Sequence, residues 1–115
     1  MSVYNNQVKL FGNLGKAAEI VESKAGTVAR FNLAVYRSGK GDEAVTDWIP
    51  IVAWHDLARG AAELDKGARV IVTGSIQTRS YETEDGVKKY VTEVIAREIG
   101  KDISIKKDDE DEVPF

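Results

Sequence analysis

The chain is 115 residues long, 43% hydrophobic and 30% charged, as expected of one globular domain that buries about two-thirds of its unfolded surface. It has no cysteine, hence no disulfide framework or thiolate metal site. It also has no apolar run of about 18 residues and no secretory signal in "MSVYNNQVKL", so a cytoplasmic protein without a membrane span is expected. The net charge of −3 divides unevenly: all 16 basic residues and 14 of the 19 acids precede Asp108, leaving +2 on the first 107 residues and −5 on the last eight. A mildly basic body with an acidic tail points to nucleic acid or protein partners.

In chain order, "VKLFGNLG" is apolar and glycine-punctuated, and reads as a first strand. "TVARFNLAVYR" alternates: Ala29, Phe31, Leu33 and Val35 take one face, Arg30, Asn32 and Tyr36 the other. "TDWIPIVAW" reads as a third strand, with Ile49, Ile51 and Ala53 on one face and Trp48, Pro50, Val52 and Trp54 on the other. "HDLARGAAELDKG" is helical in pattern. Asp56 is placed to cap its start and Gly67 to end it, while Leu57, Ala61 and Leu64 share a face. "ARVIVTGSIQTRSY" and "KKYVTEVIAREI" are the fourth and fifth strands, joined through Asp85-Gly86. A two-residue turn there sets Glu84 opposite Val87, Glu82 opposite Lys89 and Tyr81 opposite Tyr90. "DISIKK" reads as a short extended piece before the acids. The expected fold is all-β: a five-stranded OB-fold barrel, with one helix between strands three and four and a long hairpin between four and five. Strand order alone also admits a generic small barrel. The barrel domain is expected over residues 1–105 and an acidic tail over 106–115.

A barrel strand needs only one apolar face, so Trp48 and Trp54 on the second face require a cover. The helix, another subunit or a ligand with flat apolar surfaces would serve. Tyr36 lies on the face of Arg30 and Asn32, with Arg37 and Lys40 following. Tyr81 shares a face with Arg79 and Gln77, and Lys88 and Lys89 lie across the hairpin. Aromatics interleaved with cations suit single-stranded nucleic acid, whose exposed bases stack while its phosphates need positive charge. Catalysis finds little support. His55, beside Asp56 at a strand-to-helix junction, is placed as a surface or capping residue. There is no cysteine nucleophile, metal-ligand cluster, G-x-S-x-G or P-loop, so no catalytic residue, metal or cofactor is expected.

Together these segments resemble the bacterial-type single-stranded DNA-binding proteins over nearly the whole chain. "VKLFGNLG", "TVARFNLAV" and "TDWIPIVAWHDLA" are similar to the family's first three strands. "LDKGARVIVTGSIQTRSYETEDGVKKYVTEV" is similar to its helix exit and long hairpin, and "DDEDEVPF" resembles its acidic Pro-Phe tip. The resemblance implies a non-enzymatic, nucleoid-associated homotetramer, with dimers made by first-strand pairing. Such a protein covers exposed strands in replication, recombination and repair. By position, Trp48 and Trp54 match the family's base-stacking aromatics, and Tyr81 stands where another occurs. Asp109, Asp111, Glu112, Pro114 and Phe115 match a tip that docks genome-maintenance enzymes.

Three substitutions depart from the pattern. Gly39 replaces an aromatic, with Tyr36 nearby as a substitute; Pro50 replaces a basic residue, and Ile49 a polar one. The tail departs too, because Lys106 to Phe115 is only ten residues and reaches about 33–36 Å when extended, where the family has a long linker. A tip held so close is expected to compete with DNA for the basic face. Two rival readings stand beside this one. The first is an OB-fold protein-interaction module with weak or no DNA binding, and the second an RNA-binding or cold-shock-type OB protein.

Overall fold

The computed structural model describes residues 5–101. Alternation in sequence becomes alternation in burial: along β3 (Gly26–Ser38), Ala29, Phe31 and Leu33 are buried while Arg30 and Asn32 are exposed. The other elements are β1 (Val8–Leu14), β2 (Glu19–Ser23), β4 (Val45–Trp54), α1 (His55–Ala61), β5 (Arg69–Glu82) and β6 (Lys88–Lys101). The sheet runs β1-β5-β6-β4-β3-β2, and β1 also pairs with β3 at Asn13↔Ala34 and Leu14↔Leu33. That last pairing closes β1, β5, β6, β4 and β3 into a barrel, with β2 outside the ring. Four of the five seams are antiparallel; the fifth, between β4 and β6, is parallel and only two residues long, Ile51↔Val94 and Val52↔Ile95. A closed five-stranded barrel with one helix is the OB-fold expected above.

Leu14, Leu33, Ile51, Val52, Val70 and Val72 are almost wholly removed from water, each stabilising the barrel by about 1.5–3 kcal/mol. Helix α1 packs on β3, β4 and β6, and its Ala58 and Ala61 are buried together with Leu64 beyond its end.

Three local readings need correction. A sixth strand, β2, adds to the five expected: all five of its residues are exposed, so "EIVES" carries no buried alternation to betray it. The helix is shorter than its pattern, ending at Ala61, with Gly67 closing a later turn at φ 87°. Its N-cap is Trp54 without a side-chain bond, and Asp56 pairs instead with Arg59 at 2.5 Å within the first turns.

The hairpin register is the third correction. The Thr83 N–H donates to the Val87 carbonyl and the Gly86 N–H to the Thr83 carbonyl, so the loop is wider than two residues. Gly86 takes φ 80° as the extra, bulged position. Every pair shifts by one: Glu82↔Lys88, Tyr81↔Lys89 and Ser80↔Tyr90. The extended reading of "DISIKK", the boundary at residues 105 and 106, and the acidic tail all lie outside the described residues.

Candidate nucleic-acid interface

Because β4 alternates, turning Ile51 and Ala53 inward forces Trp48, Pro50 and Trp54 outward. Trp48 is 60% exposed and its cross-strand neighbour on β3 is the small Ala34, which leaves the ring uncovered. The ring lies over Gly15, where a Cβ would stand 2.5 Å from Trp48 Cζ3. Pro50 faces Asn32 in an unbroken β3–β4 register, just outside the short β4–β6 seam, so its missing N–H costs no ladder bond on that side.

Two adjoining depressions cross this outer face. One, about 270 Å³, is lined by Trp48, Gly15, Lys16, Glu19, Arg30 and Asn32. The other, about 260 Å³, runs from Glu19, Arg30, Asn32 and Pro50 to Val91, Glu93 and Arg79. They meet at Glu19, Arg30, Phe31 and Asn32, forming one groove from the tryptophan on β4 to the base of the hairpin. Glu93 is 6% exposed. Its Oε1 accepts from Arg79 Nε at 2.8 Å and its Oε2 from Arg30 Nη1 at 3.4 Å, while both arginine side chains are about half exposed.

Beyond the groove the β5–β6 hairpin leaves the barrel, and both of its faces are exposed from Ile76 to Tyr90. The shifted register decides which residues share the groove's face. Lys89 lies opposite Tyr81, and Val91 opposite Arg79, so Tyr81, Arg79 and Lys89 form a continuous front. Tyr81 is 46% exposed there. Lys88 belongs to the back face, where its Nζ sits 5.8 Å from the Tyr90 ring centre.

The remaining expected residues are scattered. Trp54 shares Trp48's face but lies six residues, about 20 Å, further along β4. It is half buried and tilted against His55, with the ring centres 5.9 Å apart. Tyr36 is exposed on a separate depression with Phe11, Asn13, Ala34, Thr46 and Arg69, and its hydroxyl donates to the Gly39 carbonyl. Arg37, at the bulge between Tyr36 and Ser38, is forked onto Asp47 at 3.0 and 3.1 Å. Lys40 is exposed in the loop after β3, away from the groove. Among the described residues, no three His, Asp or Glu side chains gather to hold a metal, and no helix is long and apolar enough to cross a membrane.

Two kinds of contributor escaped the sequence reading. Lys16 and Gly15 sit in a loop without periodicity. Glu93 was hidden by the off-by-one register, which sends it to the opposite face from Arg79. Had Gly86 been read as a bulge, Glu93 would have fallen beside Arg79.

The model of the single-strand binding protein family matches residues 5–102, which contain the whole barrel, groove and hairpin. The chain belongs to this family. Among its relatives, Single-stranded DNA-binding protein B of Bacillus subtilis is 45% identical over 95 residues, covering 79% of this chain and 84% of the relative. Two proteins of Clostridium acetobutylicum are also similar. Single-stranded DNA-binding protein 3 is 42% identical over 98 residues, with 82% of this chain and 68% of its own length covered. Single-stranded DNA-binding protein 2 is 39% identical over 110 residues, with 88% and 83% covered. The glycine at position 39 has a local cause. Its φ of 91° and the adjacent Glu43 carbonyl leave no room for a Cβ.

Proposed function

We propose that this chain binds single-stranded DNA without reading its sequence, stacking bases on Trp48 and Tyr81 while Arg30, Arg79, Lys16 and Lys89 meet phosphates. One observation carries the proposal: an uncovered tryptophan lies on the same outer face as two half-exposed arginines, in one continuous groove. Each stacked base contributes roughly 1–3 kcal/mol, and duplex DNA hides the base faces this chemistry needs. The names of the relatives support the same reading. In its fuller form, the protein covers exposed strands in replication, recombination and repair, and recruits enzymes through Asp109, Asp111, Glu112, Pro114 and Phe115. It works as a homotetramer. In support of strand-one pairing, β1 meets β3 only at Asn13 and Leu14, leaving that edge open from Val8 to Gly12.

Titration with oligo-dT, duplex DNA and oligo-rU, followed by tryptophan fluorescence, tests the proposal. Single-strand DNA should quench strongly, Trp48→Ala should remove most of the quenching and weaken binding by about 10- to 100-fold, and duplex should do little. Tighter binding of rU than dT would favour an RNA-binding protein. No binding by any probe would leave a protein-interaction module.

A further inference from the structure

The groove's arginines are not independent cations. A single carboxylate takes one of them on each oxygen, Arg79 from β5 and Arg30 from β3, reaching across β4 to do so. Glu93 is only 6% exposed, whereas the two arginine side chains, Arg79 and Arg30, are 49% and 47% exposed. A strand in the groove would therefore meet the guanidinium N–H groups more readily than the Glu93 carboxylate, with the exposed Glu19, opposite Arg30, as the acid that lines both depressions. Two like charges would repel if left alone this close; the carboxylate between them offsets that repulsion and fixes both forks. Each guanidinium contributes one nitrogen to Glu93 in these contacts, Nε from Arg79 and Nη1 from Arg30, leaving its other N–H groups to turn toward the groove.

We infer that Glu93 is a positioning residue, holding Arg30 and Arg79 as one preformed seat for a single backbone phosphate. The inference rests on the strand-binding reading above and adds to it a division of labour. The aromatics take the bases, and one buried acid decides where the phosphate path must pass. An anion landing on this seat finds two arginines already ordered. Without Glu93, their rotamer freedom would have to be lost at every binding event. Glutamine is the informative replacement, since its amide keeps the shape, accepts from one arginine and repels the other with its N–H groups.

The test uses the full chain, oligo-dT and a salt series read by fluorescence anisotropy, with thermal unfolding measured in parallel. Glu93→Gln should bind about tenfold more weakly, the order expected when one arginine must be re-ordered, while the slope of log affinity against log salt stays unchanged. Arg30→Ala with Arg79→Ala in one chain should lower that slope by about 0.7, the value for one phosphate, and Glu93→Gln should add nothing on that background. A loss of about 1.4 in the double variant would mean that each arginine meets its own phosphate, and would overturn the shared seat. Equal or tighter binding by folded Glu93→Gln would make the acid a structural group or a competitor, and the inference would fail. If Glu93→Gln does not fold, the two exposed arginines still decide the matter through their slopes. Failure of the wild-type chain to bind oligo-dT would instead remove the strand-binding reading itself.

Discussion

Gly15 matters for what it lacks: the Trp48 ring occupies the space a side chain would take. An alanine there meets the far edge of the ring and must push it outward. Nothing in the core moves, so Gly15→Ala should unfold within a few degrees of the parent. It should nevertheless lose part of the roughly 1–3 kcal/mol that a base stacked on Trp48 contributes. Comparing melting temperature with oligo-dT affinity checks this, and a variant that binds like the parent would show that the ring's seat is unimportant. Gly39 illustrates the opposite case, in which backbone and not side chain fills the space, and there the Glu43 carbonyl excludes any side chain. Tyr36 opens onto a depression neighbouring the groove.

The hairpin is where one residue of register has the greatest effect. Its strands were readable from β-branched and aromatic content, as were the barrel strands from alternation, because burying one face forces a period of two. The turn was not, since Asp85-Gly86 fits both a two-residue loop and a bulged one, and only tertiary packing chooses between them. The choice moved Lys89 beside Tyr81, moved Tyr90 away, and brought Glu93 to the arginines. A sharp prediction follows from the two adjacent lysines. Lys89→Ala should reduce the salt slope of oligo-dT binding by about 0.7, whereas Lys88→Ala should leave it unchanged. Equal effects from both would mean that the strand passes around the arm and touches its two faces. β2 was unreadable for a different reason: an exposed strand held only by pairing with β3 leaves no apolar signature. The helix pattern ran past its true end because Leu64 is buried from a turn and not from a further helical coil.

For the molecule as a whole, charge and closure set the behaviour. Removing residues 108–115 changes the net charge from −3 to +2. A chain ending at Lys107 should hold oligo-dT more tightly at low salt, and the difference should vanish at high salt, where the screening length falls from about 10 Å at 0.1 M to 3 Å at 1 M. Equal affinity at both ends of the series would set aside competition between the acids and the groove. The barrel itself is closed unequally: β1–β5, β5–β6 and β3–β4 are long antiparallel seams, β1–β3 is a two-residue antiparallel contact, and β4–β6 is a two-residue parallel one. Such a contact behaves as a clasp. Amide hydrogens that bridge β4 and β6 at Ile51–Val52 and Val94–Ile95 should exchange with solvent deuterium sooner than those that bridge β5 and β6. Arg30 reaches over this clasp from β3 to Glu93 on β6, so an oligo-dT strand seated on the arginine pair would fasten it from outside. Exchange of the amides in this seam should slow on binding, and a rate that stayed constant or rose would show that the clasp and the groove move independently.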